Sequence, residues 1–295
     1  MGFPDIVTNR PFLKWAGGKV DLVQRVLWSL PDGKRLIEPF AGSCAVALNT
    51  SADRFVMADT NRDLIDLYTW LQHCGPDFIE DCNSLFQNRI KEGHVKESDS
   101  AESHFEESNS EEFYYACRQE FNETALGDYW RSVLFVYLNR HSYNGLCHYD
   151  EDGHFDVPYG MYRKPRCPSQ EMRYFYHWAQ NAEFVQADFR SVMDEAQPGD
   201  FFYCDPPNLP LTTIDGLVVP MDQAFTMSDH VELAVRAEAL AARGIPVIIS
   251  NLDTPEARAL YASAKIDAFP VRRYIRYKNG ARGKIWEVVA VFGHA

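Results

Sequence analysis

The stretch DFFYCDPPN, residues 200–208, is an apolar run that stops at an acid, two prolines and an amide. Proline fixes φ and lacks an N–H, so the turn is stiff and rich in acceptors: the carboxylate of Asp205 and outward-facing carbonyls. An exocyclic amine of adenine or cytosine is a poor nucleophile, because its lone pair is delocalised into the ring. If Asp205 and the Pro206 carbonyl accept its two hydrogens, the nitrogen is pushed toward sp3 and its lone pair turns to an electrophile. Pro207 stiffens this clamp and Asn208 closes it. Such chemistry works by positioning and preorganised electrostatics, with no covalent intermediate and no cysteine nucleophile. The plain alternative for D-P-P is a rigid turn after a strand.

Three other stretches carry binding chemistry. In PFLKWAGGKV, residues 11–20, a phosphate loop of the form G-x-x-x-x-G-K-[ST] fails, since Leu13 and Val20 occupy two of its defining positions. What remains is a glycine loop with Trp15, Lys14 and Lys19, suited to a small anionic or aromatic ligand. RLIEPFAGSCAVALNT, residues 35–50, reads as strand, tight turn and helix, with Gly42 letting the backbone approach a ligand. FVMADTN then ends a strand on Asp59, where a carboxylate can accept both hydroxyls of a ribose. EFVQADFR ends on Asp188, which with the backbone N–H of Phe189 suits an amino-purine edge; a helix-capping aspartate is the simpler reading.

The elements that must position these residues are legible as short apolar runs closed by turn residues. Strands are predicted at 35–39, 54–58, 183–187, 200–204, 246–250 and 286–292, buried and parallel in style. NRDLIDLYTWLQ, residues 61–72, has helical spacing, and Thr226 with Asp229 is expected to cap a helix that stops at Gly244. Strand–helix alternation implies an open α/β sheet with ligands at the strand C-terminal ends. Residues 61–175 differ, running from helical patterns through an acidic stretch to the aromatic, glycine-rich NRHSYNGLCHYDEDGHFDVPYGMYRKP. They read as an inserted recognition subdomain, with 1–60 and 176–295 forming the catalytic domain.

The chain of 295 residues, 46% hydrophobic, is long enough for one large domain with an insertion. Seven cysteines without a C-x-x-C pair imply a reduced, cytoplasmic protein with no structural zinc or other metal. No leader or membrane span is read. The formal charge of −13 opposes nucleic acid at first sight. Its distribution softens that objection: residues 93–112 hold seven acids against one lysine, while basic runs lie at 163–166 and 272–284. The acidic segment is expected to be a disordered surface loop.

In order along the chain, FLKWAGGK, EPFAGS-AV-LNT, AD-N, YLNR--YNGLC, VP-G-Y-KP, YCDPP and IPV-ISN-DT resemble the DNA adenine-N6 methyltransferases of the Dam family, over nearly the whole length. The resemblance implies a Rossmann-like methyltransferase sheet with a helical target-recognition insert, S-adenosylmethionine as donor, and double-stranded DNA as partner. It further implies a flipped adenine, usually within GATC, because N6 is paired inside the duplex. By position, Trp15, Lys19, Phe40, Gly42, Asp59, Asp188, Phe189 and Asp205 would contact or line the cofactor site. Asp205, Pro206 and Pro207 would hold the target amine. Tyr143 and Asn144 would brace the vacated stack, Leu146, His148, Pro158 and Tyr162 would read bases, and Lys14, Arg163 and Lys164 would meet DNA. A monomer, or a dimer on DNA, is expected.

Four positions depart from the family pattern. Cys44 replaces a glycine and is expected at negative φ. His148 replaces an arginine suited to guanine, so GATC or a relaxed variant of it is expected, and Met161 stands where a basic residue is frequent. Asn208 replaces the aromatic that stacks on the base, a contact worth about 1–3 kcal/mol. Weakened capture of adenine, a different base or a modified donor, and a silenced, DNA-binding pseudoenzyme all fit Asn208; N4-cytosine methylation is the other alternative.

Overall fold

A computed structural model of the chain describes residues 9–15, 23–31, 33–87, 110–162, 165–208, 225–271 and 285–293. Lys19, Arg163, Lys164, the basic run 272–284 and most of the acidic segment lie outside the described residues. In chain order the elements are α1 (Val23–Ser29), β1 (Arg35–Glu38), β2 (Arg54–Asp59), α2 (Arg62–Phe86), α3 (Glu111–Glu123), α4 (Tyr129–His141), α5 (Ser169–Ala179), β3 (Ala182–Gln186), α6 (Phe189–Asp194), β4 (Asp200–Cys204), α7 (Met227–Ala242), β5 (Val247–Leu252), α8 (Pro255–Leu260), β6 (Lys265–Val271) and β7 (Ile285–Phe292). The strands form one sheet in the order β3-β2-β1-β4-β5-β7-β6. The chain divides into two compact units, residues 1–8, 19–60 and 187–295, and residues 9–18 and 61–186.

In the first unit β4 is buried at every position and pairs in parallel with β1 and β5. That burial is why DFFYC shows no polar alternation. At the foot of the strand, Arg35 donates to both oxygens of Asp200, each at 2.8 Å, fixing the β1–β4 register. The predicted cap of α7 is present: Thr226 and Asp229 exchange side-chain-to-backbone bonds as a capping box, and Gly244 ends the helix region at φ +78°.

The parallel expectation fails at one edge. β7 runs antiparallel to both β5 and β6, and β6 was not expected at all. WEVVAVF is apolar because β7 lies inside the sheet, and composition does not encode direction. KIDAFPV carries Lys265, Asp267 and Pro270 on a half-buried edge strand, where such residues are tolerated.

The second unit is built around α4, which is buried at every position from Arg131 to Asn139. A helix apolar all round belongs in a core. Asn61, Ser110 and Asp128 cap α2, α3 and α4 with side-chain oxygens. α2 bends at Gly75 and Pro76, where Gly75 has φ +39° and a Cβ would stand 2.5 Å from the Tyr176 ring. Phe12 packs edge-on against Tyr68 and Phe175, tying the N-terminal segment to α2 and α5.

One charged pair lies inside this framework. Arg131 donates to both carboxylate oxygens of Asp63, at 2.6 and 3.0 Å, and also to the carbonyls of Phe121 and Thr124. Both side chains are over nine-tenths buried, and the guanidinium lies 3.8 Å over the Phe121 ring. Replacing Arg131 with leucine strands an acid and two carbonyls, and is expected to cost about 3–5 kcal/mol. Urea unfolding should show this as a lower midpoint at unchanged slope; an unchanged midpoint would mean that Asp63 is carried by other groups.

Candidate active site and reading surface

In the first unit, β1 runs into the loop of Phe40, Gly42 and Cys44. The loop is pinned to β2 twice: Ala41 N–H donates to Ala58 O at 2.8 Å, and Gly42 N–H to Asp59 Oδ2 at 3.1 Å. Asp59 therefore braces the loop with one oxygen at the end of its strand. Gly42 has φ +44°, as its role requires, but Cys44 also has φ +57°. The expectation of negative φ at 44 is thus overturned. The turn needs a second left-handed residue, which glycine adopts freely and an L side chain adopts at about 1–2 kcal/mol. The thiol is fully buried, so packing offsets part of that strain.

Three phenylalanines meet above this loop. Phe40 stacks on Phe189 at 5.6 Å, and Phe225 packs against both at 5.5 and 5.7 Å. Asp188 caps α6, accepting the Arg190 N–H at 2.9 Å and pairing with its guanidinium. The simpler reading of Asp188 is therefore correct locally. Arg190 also bonds Asp229 and Glu232 and lies 4.5 Å over the Phe189 ring, holding that ring in place. Aromatic faces, a glycine loop and strand-end carboxylates form a donor set that fits an adenosine group.

Beyond β4, Pro206 is buried, Pro207 half-buried and Asn208 exposed. Asp205 Oδ1 accepts the hydroxyl of Ser250 at 2.8 Å. Glu38, at the end of β1, is 2% exposed, and burial, with the nearby Asp205 charge adding to it, holds its carboxyl well above the ordinary range. Burial thus disfavours charge on Glu38, while Asp205 has a hydroxyl donor.

The second unit holds the reading residues. The turn at 143–145 and the segment 157–160 are crosslinked by Tyr143 N–H to Pro158 O and Gly160 N–H to His141 O, both 2.8 Å. Tyr149 and Phe155 pair as an antiparallel bridge around the Asp150–Gly153 turn. α3 grips this segment from one face, four residues apart. Tyr114 donates to Val157 O at 2.8 Å, Arg118 to Asp156 O at 3.0 Å, and Asn122 exchanges two bonds with Phe155. Tyr149 also donates to Asp63 Oδ2 at 2.7 Å, so the buried ion pair anchors the hairpin.

Of the predicted residues, Tyr143, Asn144, Leu146, His148 and Pro158 are exposed and Tyr162 is half-buried; Asp150 to His154 and Asp156 are exposed beside them. Met161 is 82% exposed at φ +53°, and Asn144 has φ +55°, a conformation asparagine accepts. Lys14 joins them from 125 residues away. Its backbone exchanges bonds of 2.9 and 2.6 Å with the Asn139 side chain, and its ammonium lies 3.8 Å over Tyr162. Gly145 must be glycine, since a Cβ would stand 2.4 Å from the Lys14 side chain. Trp15 is half-buried in this unit.

Sequence reasoning missed Glu38, Ser250, Phe225, Asn139 and the trio on α3. Glu38, Asn139 and Ser250 stood inside the quoted stretches EPF, YLNR and ISN, so a signal existed; Tyr114, Arg118 and Asn122 bond only backbone and left none.

Because residue 44 is left-handed, its tolerance is narrow. Cys44→Val is expected to add strain of about 1–3 kcal/mol and to lower the melting temperature, whereas Cys44→Gly retains it. Equal melting of the valine variant would show that the loop relaxes to negative φ.

Comparison with known proteins agrees with this geometry. The family model described as D12 class N6 adenine-specific DNA methyltransferase matches residues 15–273. The chain is 39% identical over 284 residues to a DNA adenine methylase of Escherichia coli K12, covering 96% of this chain and 95% of that protein. It is 39% identical over 285 residues to the Serratia marcescens DNA adenine methylase, covering 96% and 98%, and 38% identical to one from Vibrio cholerae serotype O1, covering 96% of each. With a clamp after β4, a glycine loop after β1 and a family match across most of its length, the chain belongs to the D12 class N6 adenine-specific DNA methyltransferases.

Proposed function

We propose that the chain methylates N6 of an adenine extruded from duplex DNA, with S-adenosylmethionine as donor and Asp205 and the Pro206 carbonyl as acceptors for the two amine hydrogens. The observation that carries this reading is an acceptor-rich turn directly after the central buried strand, beside the buried Glu38. When bound, the cofactor supplies an electrophilic sulfonium methyl group.

The residues of the first unit divide the rest of the work. Phe40 and Phe225, backed by the buried Phe189, offer faces to an adenine ring, Gly42 lets the backbone close on the ligand, and Asp59 suits a ribose diol. Asp188 and the N–H of Phe189 suit the amino-purine edge, with Asp188 also capping α6. Trp15, in the second unit, and Lys19, outside the described residues, are cofactor residues only as the resemblance implies. By accepting the two N–H hydrogens the clamp draws the nitrogen lone pair out of resonance with the ring, and Pro207 fixes its geometry.

The second unit is the target-recognition domain in this reading. Tyr143 and Asn144 fill the vacated stack, Leu146, His148, Pro158 and Tyr162 meet base edges, and Lys14, Arg163 and Lys164 meet phosphates. The target site is GATC or a relaxed variant, because His148 replaces the longer bidentate reader. The protein acts in the cytoplasm, as a monomer or as a dimer on DNA. N4-cytosine transfer and a silent DNA binder draw no support from the family match, which names the adenine amine.

Asn208 sets the rate. A small amide covers less of the base than an aromatic ring, and Asn208→Tyr is expected to raise kcat/KM about 10- to 100-fold, the stacking contribution expressed as rate. Labelled donor, unmethylated duplex and digestion to nucleosides read both points. Label in N6-methyladenine supports the proposal; label in N4-methylcytosine, or none from either variant, overturns it.

A further inference from the structure

Asp205 is not held by the turn alone. Ser250, on β5 and 1% exposed, places its Oγ 2.8 Å from Asp205 Oδ1 and 2.9 Å from the hydroxyl of Tyr203. β4 and β5 are parallel neighbours in register, Cys204 opposite Ile249, so both hydroxyls are fixed by the sheet. The direction of the chain follows from counting hydrogens. A serine hydroxyl carries one, and an ionised carboxylate only accepts, so Ser250 donates to Asp205 and Tyr203 must donate to Ser250. Tyr203 is 3% exposed, and burial keeps its phenol firmly protonated.

Glu38 has a backbone donor in Ala47, which burial outweighs, and its Oε1 is buried without a hydrogen-bond partner among the described residues. Where two carboxyls are neighbours in a low-dielectric site, a hydroxyl donating to one of them favours charge on that one.

We propose that Ser250, oriented by Tyr203, is the positioning residue of the amine clamp: its hydroxyl donates to the Asp205 carboxylate and fixes it in one orientation. The inference rests on the reading of Asp205 as the amine acceptor. A merely packed serine would not change the titration of Asp205, so that titration is the deciding observation.

The test uses the full chain labelled with 13C at aspartate and glutamate carboxyls, free of cofactor and DNA, followed by NMR across pH. Asp205→Asn and Glu38→Gln identify the two signals by their disappearance. Ser250→Ala is expected to raise the Asp205 midpoint by about one pH unit, and to move the acid limb of kcat upward equally, because a donor to the charged form is lost. At neutral pH its kcat should fall about tenfold, the size of one charge-assisted bond. Tyr203→Phe should shift the midpoint less in the same direction, and Ser250→Thr should restore it. An Asp205 midpoint unmoved in Ser250→Ala, or one not restored in Ser250→Thr, overturns the proposal. Undiminished transfer by Asp205→Asn would instead overturn the underlying reading of the clamp, whatever the titration shows.

Discussion

The proposed chemistry of the first unit meets one difficulty: Asp205 stands at the end of a strand buried on both faces, where desolvation opposes charge. The two prolines that follow lack N–H groups, so neither donates to it. The sheet order supplies the remedy. β4 lies between β1 and β5, so Glu38 arrives from one neighbour and Ser250 from the other. One brings a buried acid and the other a hydroxyl. Strand order is therefore part of the chemistry.

The helical unit meets the same physics with different means. Asp63 is buried at the start of α2, and its carboxylate is held by the two-pronged bond of Arg131 and by the Tyr149 hydroxyl. Removing water from such a pair gains little net stability, but it leaves few alternative arrangements. The aromatic hairpin from 146 to 158 has little apolar core of its own, apart from Phe155 and Val157. It is held by backbone bonds from α3 and by Tyr149, which leaves the outward side chains at liberty to face a ligand. A reading surface of this kind can change its exposed residues without disturbing its support, since the support bonds carbonyls and N–H groups.

Much of this was legible in the sequence, for a definite reason. Strands β1, β2, β3, β4, β5 and β7 appeared within a residue or two of their bounds, because each is an apolar run closed by a polar residue. The Thr226–Asp229 box was readable because capping is a local interaction. β6 was not, since an edge strand with lysine, aspartate and proline lacks the buried signature, and the antiparallel direction of β7 depends on partners far away in the chain. The same division holds at the site. Gly42, Asp59 and Asp205 were found from strand ends, whereas Ser250 matters only because β5 lies beside β4. Cys44 was misjudged because its conformation is set by the loop it closes and not by its own preference.

The reading surface adds a constraint that bears on target choice. His148 Nδ1 lies 2.7 Å from Asp156 Oδ1, and a carboxylate accepts only, so the imidazole hydrogen is on Nδ1. In the neutral ring Nε2 is then an acceptor. The major-groove edge of guanine presents N7 and O6, which are acceptors too, so a neutral His148 does not favour guanine as an arginine would. An imidazolium could donate one bond, but its charge would be shared with Asp156. Asp156 is itself fixed through its carbonyl by Arg118, so the pair is part of the supported hairpin and not an accident of a mobile tip. Under the proposed function, Asn208 and His148 act at separate stages, one on how long an extruded base is retained and the other on which duplex is engaged. A chain altered at both keeps the bond from Ser250 to Asp205 and the bonds from α3 to the hairpin, so what the proposal has them change is the selection of the adenine and not the support of the turn.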